Sequence, residues 1–184
     1  MKNKHWFARC LIVSATSLAL AAPFAAGAAT EWFLNIDGIK GESTSASHKG
    51  AIEVLAWSWG MSRGASDSLS RGKSAPACVT DMAFSKYLDA ATPALMANVL
   101  SGMTIPGATL AVRKAGEDKG GQDFLVIVMK DVIITSVADS GSPSDIPVES
   151  ISLKFASAKV SYKQQKADGS SGTAIETTIK GGGC

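Results

Sequence analysis

The sequence has few of the residues on which enzyme active sites and metal sites depend. Its 184 residues include only two histidines and three cysteines, and aromatic residues make up 7% of the chain. These histidines and cysteines are scattered, without the short spacing of a zinc site, and no complete phosphate-binding motif is present. Charged residues are 18% against 46% hydrophobic residues, which predicts a packed globular core. We therefore expect no cofactor, no metal ion and no nucleic-acid partner.

The chain also lacks an apolar run long enough to cross a bilayer, which takes about 20 residues. Its first residues instead have the layout of a secretory leader: Lys2, Lys4 and Arg9 precede an uncharged apolar run over residues 11–24. Small residues at positions 26–28 then suit a signal peptidase. The sequence predicts a signal peptide over residues 1–28, one domain over residues 29–184 and export to the periplasm or the medium. A retained N-terminal helix is the alternative.

Removal of the leader would change both the charge and the cysteine content. The leader holds three of the 18 basic residues and none of the 16 acidic ones, so the mature net charge would be 15 − 16 = −1. Two cysteines would remain, Cys78 and Cys184, in a compartment where disulfides form. The glycines before Cys184 predict a flexible tail. We therefore treat Cys78 and Cys184 as a candidate disulfide, within one chain or between neighbouring subunits.

Most of the mature sequence alternates apolar and polar residues, as half-buried strands do. Helix signals occur only over residues 92–102, where Thr92 could cap, Pro93 suits the first turn and Gly102 suits the exit. A change of phase between Phe155 and Ala158 predicts a bulge or bend. One helix among long strands, without βαβ alternation, predicts a mainly β fold, a small barrel of two packed antiparallel sheets. The predicted strands cover residues 31–38, 51–62, 77–89, 108–116, 123–138, 149–165 and 174–179.

The strand predicted over residues 51–62 has one heavy face, made by Leu55, Trp57, Trp59 and Met61. We expect this face to pack in the core, although large aromatic residues also dominate protein interfaces. A polar loop rich in glycine and serine follows over residues 63–76, and loops of this length within a compact domain are usually functional.

Residues 60–64, Gly-Met-Ser-Arg-Gly, match the nucleophile elbow of hydrolases. That elbow needs a helix after the serine and a histidine later in the chain. A polar loop follows Ser62 instead, and the one histidine of the mature chain, His48, precedes it. We therefore predict no enzyme activity, and we expect His48 at the surface of a serine-rich loop.

Several segments, in this order, resemble the haemolysin-coregulated protein (Hcp) family, the tube protein of type VI secretion. The resemblance implies a small β-barrel with one helix and a long extended loop, without catalysis. It also implies hexameric rings that stack head to tail into a tube, with sheath and spike components as partners and effector proteins in the lumen. The segments are "DGIKGES" (37–43), "IEVLAWSWGMS" (52–62), "FSKYLDAATPALM" (84–96), "ATLAVRKAG" (108–116) and "VSYKQQKADGSSG" (160–172).

The extended loop is the part of the chain that this resemblance places against a neighbouring subunit or ring. Its candidate interface residues are Arg63, Asp67, Leu69, Arg71 and Lys73. The leader departs from the family, whose tube proteins assemble in the cytoplasm before secretion. An exported Hcp-like binding or effector module is therefore the alternative to a tube subunit.

Overall fold

The structure, a computed structural model, describes residues 29–63, 77–114, 122–166 and 170–182. These residues form one helix and ten strands, so the prediction of a mainly β fold with one short helix is confirmed. The elements are β1 (Thr30–Ile36), β2 (Ile52–Glu53), β3 (Ala56–Ser58), β4 (Met61–Arg63), β5 (Ala77–Val79), β6 (Met82–Tyr87), α1 (Thr92–Ser101), β7 (Ile105–Lys114), β8 (Leu125–Ser140), β9 (Val148–Gln165) and β10 (Ser171–Lys180).

A short segment, residues 52–58, closes the strands into a barrel. Strands β1, β7, β8, β9 and β6 follow one another as antiparallel neighbours. Strand β2 then pairs with β1, and β3 pairs with β6. At the junction the amide of Val54 donates to the carbonyl of Trp32 at 2.9 Å, and the amide of Leu55 donates to the carbonyl of Ser85 at 2.7 Å. One split strand therefore joins the two edges of the sheet.

This split corrects the prediction of one continuous strand over residues 51–62. Trp57 and Trp59 are half-buried against the core, but Leu55 is 43% exposed and Met61 is 54% exposed. The change of pairing after Val54 shifts the inward-facing positions from even to odd numbers and leaves Leu55 on the outer face. Met61 lies beyond the barrel, in the β4–β5 hairpin.

The predicted change of phase in β9 is confirmed. Its buried residues are Glu149, Ile151, Leu153 and Phe155, and the next buried residue is Ala158. On the facing strand Asp131 has a φ of 53° between the pairs Lys130–Ser157 and Val132–Phe155, but the register of the two strands is unbroken there. The register of β8 and β9 shifts instead between Ile134 and Ser136, so the predicted bulge does not lie between Phe155 and Ala158.

The helix α1 contacts β8 through a narrower stripe than its sequence suggests. Leu95 is fully buried and Val99 is half-buried, whereas Met96 is 38% exposed and Leu100 is 89% exposed. Gly102 ends the helix with a left-handed φ of 62°, as predicted. Thr92 does not cap it: the cap position is Ala91, and the Thr92 hydroxyl is used elsewhere. In the part of the chain that the structure describes, no helix has the length and apolar character to cross a membrane.

Candidate assembly surface

The β4–β5 hairpin forms the stem of the long loop. Its register pairs Met61 with Val79, Ser62 with Cys78 and Arg63 with Ala77. The Gly60 amide donates to Thr80 Oγ1 at 3.0 Å, and the Thr80 amide donates to the Gly60 carbonyl at 3.0 Å, which holds the base of the stem together.

Of the predicted interface residues, the structure places only Arg63, exposed at the end of β4. Asp67, Leu69, Arg71, Lys73 and Cys184 lie outside the described residues.

Two residues of the stem, Ser62 and Cys78, bear on whether this region could catalyse a reaction or form a disulfide. Ser62 is an exposed residue of a regular hairpin strand, so the residues up to Arg63 do not build the sharp strand-to-helix turn of a nucleophile elbow. Cys78, its cross-strand partner, is disulfide-bonded. Among the described residues, no group of three His, Cys, Asp or Glu side chains is arranged to hold a metal ion.

A cleft of about 640 Å³ opens between the start of β1 and the end of β6. We call it the acidic cleft, after Glu31, Glu42, Glu53 and Asp89. No basic residue is among its described lining residues, and its apolar surface comes from Trp32, Leu55, Tyr87 and Leu88.

One wall of the acidic cleft is the loop over residues 39–50, which His48 holds against the barrel. The His48 ring stacks on Phe33 with 4.6 Å between ring centroids, and its Nε2 lies 3.0 Å from Asp123 Oδ1. Arg113 Nε donates to the same oxygen at 2.9 Å. The expectation that His48 is a surface side chain is therefore wrong, since its side chain is 11% exposed. Sequence reasoning missed this contact because Phe33 lies on the outward face of β1.

The loop is also closed at its base by backbone contacts that need glycine. The Gly41 amide donates to the Gly50 carbonyl at 2.9 Å, and the Ser43 amide donates to the Ala51 carbonyl at 3.0 Å. A Cβ at Gly41 would lie 2.5 Å from the Ala51 oxygen, so no larger residue fits there without a backbone shift.

The other wall rests on a buried charge cluster. Lys86 is fully buried in β6, and its Nζ donates to Glu149 Oε2 at 2.7 Å and to Asp89 Oδ1 at 2.8 Å. It also donates to Thr92 Oγ1 at 3.1 Å and to the Tyr87 carbonyl at 2.9 Å. The cluster ties the end of β6 and the start of α1 to β9, which fixes Tyr87, Leu88 and Asp89 at the mouth of the cleft.

The stem and the acidic cleft lie at opposite ends of β6. Thr80, which holds the stem, precedes Met82 at the start of β6, whereas Tyr87 ends the strand and lines the cleft. Strands rise about 3.3 Å per residue, so the two ends of β6 are about 17 Å apart. One subunit therefore carries two unlike surfaces at two separate places.

Comparison with known proteins identifies the fold and its family. The model of the family described as "Type VI secretion system effector, Hcp" matches residues 33–162. Protein hcp1 of Pseudomonas aeruginosa is 42% identical over 143 residues, which are 77% of this chain and 88% of that protein.

Solved structures agree with the sequence match. The crystal structure of Hcp1 from Salmonella typhimurium has a TM-score of 0.69 at 33% identity, and the match covers 83% of this chain and 95% of the other. A type VI secretion system effector from Yersinia pestis has a TM-score of 0.66 at 34% identity, with 81% and 98% covered. The chain belongs to the Hcp family and is a structural tube subunit of a type VI secretion system.

Proposed function

We propose that this chain assembles into six-membered rings, and that the rings stack head to tail into a tube whose channel carries other proteins of the secretion system. Sheath and spike components are then its outer and terminal partners, and the subunit catalyses no reaction. Membership of the Hcp family supports the ring. The separation of two unlike surfaces at the two ends of β6 is the observation that carries the stacking, because a head-to-tail contact needs two different patches on each subunit.

Charge complementarity supports a specific pairing of those patches. Asp89 shares the single cation Lys86 with Glu149, and Glu31, Glu42 and Glu53 add their charges to give the acidic cleft its net negative charge. The loop over residues 63–76 holds Arg63, Arg71 and Lys73 against Asp67, a net charge of 3 − 1 = +2. We propose that this loop docks in the acidic cleft of a subunit in the next ring, with Leu69 against the apolar part of the cleft.

A charge-swap series tests this pairing. The substitutions Glu31→Lys and Glu53→Lys reverse the charge of two residues in the acidic cleft and place like charges against the loop. Ring-to-ring association should then weaken by about tenfold or more. Adding Arg71→Glu and Lys73→Glu to the same chain should restore it. Glu176→Lys, which reverses an exposed charge on β10, is the matched control. Native mass spectrometry separates single rings from stacked rings in every sample.

Two results would contradict the proposal at different levels. Stacks that persist after cleft reversal, or that the loop reversal fails to rescue, would refute the loop–cleft pairing. A wild-type chain that stays monomeric at high concentration and low salt would refute the ring itself.

A second candidate function is an exported Hcp-like module that acts outside the tube. The disulfide at Cys78 favours it, because disulfides persist in oxidising compartments and are rare in the cytosol. Expression with the native leader, followed by native mass spectrometry, separates the two. A subunit without residues 1–28 that remains monomeric supports the exported module, whereas a hexamer that retains them supports cytoplasmic assembly.

A further inference from the structure

The C-terminal tail crosses from the barrel to the stem of the long loop. Strand β10 pairs with β9 as far as Lys180 and Ser157. The Gly181 amide then donates to the Ala156 carbonyl at 2.7 Å, and the Gly182 carbonyl accepts from the Val79 amide at 3.2 Å. Val79 belongs to β5, so these two hydrogen bonds join β9 to the loop stem.

The two tail glycines differ sharply in the space around them. A Cβ at Gly181 would lie 1.8 Å from the Phe155 carbonyl oxygen, which is impossible without moving the backbone. A Cβ at Gly182 would meet only the Ala77 carbonyl oxygen, at 3.9 Å, an ordinary contact. Gly181 is therefore required for the tail to pass this close to β9, whereas Gly182 is not.

The path of the C-terminal tail through Gly181 and Gly182 leads to the neighbourhood of Cys78. Val79 follows Cys78 directly, and Cys184 comes two residues after Gly182. Two residues span at most about 7 Å, and the Cα atoms of a disulfide are about 4.4–6.8 Å apart. Cys78 is disulfide-bonded, and the only other cysteines of the sequence are Cys10 and Cys184.

We propose that Cys184 bonds to Cys78 of the same chain and that the tail is a covalent strap on the stem of the long loop. The two thiols release two protons and pass two electrons to a disulfide oxidant of the exporting compartment, which becomes a dithiol. The strap fixes the β4–β5 hairpin to β9 in the oxidised protein. In a reducing compartment only the backbone hydrogen bonds hold it. The strap forms within one subunit, so it does not depend on ring assembly.

A disulfide map is the direct test. The full chain is expressed with its own leader, purified without reductant, treated with a thiol-blocking reagent and digested for mass spectrometry. The strap predicts a linked peptide pair containing Cys78 and Cys184, in a subunit that runs as a monomer on a non-reducing denaturing gel. Free thiols at both positions, a bond from Cys78 to Cys10, or a covalent dimer would each overturn the proposal.

Alanine substitutions at the two glycines test the tail's course without touching sulfur. In glutathione buffers of graded redox ratio, Gly181→Ala should need a ratio at least about tenfold more oxidising than wild type to form the bond. Gly182→Ala, the matched control, should behave as wild type. Equal behaviour of the two variants would refute the course of the tail. Circular dichroism of each reduced variant confirms that the barrel is folded in both.

A last measurement asks whether the strap acts on the stem. Trypsin can cut after Arg71 and Lys73 in the loop, and cleavage rates follow local opening. Cys184→Ser should be cut several-fold faster than oxidised wild type and at the same rate as reduced wild type. Identical rates in all three samples would show that the bond does not fix the stem.

Discussion

The two halves of β9 each make one lysine–glutamate ion pair with a neighbouring strand, but one half is buried and the other is largely exposed to solvent. Residues 148–155 pair with β6 and β8 and bury alternate side chains, whereas residues 157–165 pair with β8 and β10 and are mostly exposed or half-buried. Each half carries one lysine–glutamate pair between strands. Lys86 and Glu149 are 2.7 Å apart with side chains 1% and 0% exposed, and Lys159 and Glu176 are 2.8 Å apart with side chains 52% and 45% exposed.

The two ion pairs have nearly equal N–O distances, but their contributions to the stability of the fold differ greatly. Water screens the outer pair and solvates each partner when the contact opens, so surface pairs add little stability. The inner pair has lost its water, so removing Lys86 would leave the Glu149 carboxylate in the core without a cation. The difference shows that burial, more than the N–O distance, decides which ion pair the fold depends on.

Lys86→Met should give the largest effect in this comparison. It leaves Glu149 and Asp89 without their shared cation, and breaking a buried pair costs about 3–5 kcal/mol of unfolding free energy. Lys159→Met is the matched control, and its unfolding midpoint in urea should not differ measurably from wild type. Equal losses for the two variants would contradict the assignment of the inner pair as structural.

Shortening a core side chain should give the second-largest loss of unfolding free energy. Leu153→Ala removes a fully buried side chain from the inner half of β9 and should lower the unfolding free energy by about 2–5 kcal/mol. Ile175 on β10 is 72% exposed, so Ile175→Ala should change it by less than about 0.5 kcal/mol. A large loss for Ile175→Ala would mean that another part of the chain covers β10.

Hydrogen exchange should separate the same two regions without any mutation. Strand β10 has no buried residue, and it pairs on only one edge among the described residues. Its hydrogen-bonded amides should exchange at least about tenfold faster than those that join β8 to residues 148–155. Uniform protection across both regions would show that β10 opens only with the whole barrel.

The smallest effect concerns Glu176. The side-chain hydrogen bond from Lys159 is the largest cause that holds the pKa of Glu176 below its ordinary value. A lowered pKa stabilises the folded state above the unfolded pKa, and that contribution is lost as the pH falls through the folded pKa. Carboxyl NMR should therefore show Glu176 titrating below an unpaired glutamate, and Lys159→Met should raise the pKa of Glu176 toward its ordinary value.

Much of this fold could be predicted from local sequence. The strand over residues 31–38, the phase change after Phe155 and the exit of α1 at Gly102 follow from alternation and turn chemistry, which act over a few residues. The split at Val54 could not be predicted in the same way. It depends on which neighbour pairs with each half of the segment, a property of the closed barrel.

The polar contacts that shape the acidic cleft could not be predicted from local sequence either. Lys86 and Glu149 lie on strands far apart in the sequence, and each alone resembles an ordinary surface charge. His48 contacts Phe33 and Asp123 only after the barrel has formed, so its serine-rich surroundings suggested solvent. Long-range pairing of this kind leaves no local pattern.

The positions of Thr30 and Gly182 have a practical consequence for fusion proteins. Thr30 lines the acidic cleft, and Gly182 lies against the loop stem. A payload or affinity tag joined directly before Thr30 would crowd the cleft, and one joined after the tail would crowd the stem. Neither position is a neutral attachment point, and a tag at each one in turn can block one surface while every residue of the barrel stays native.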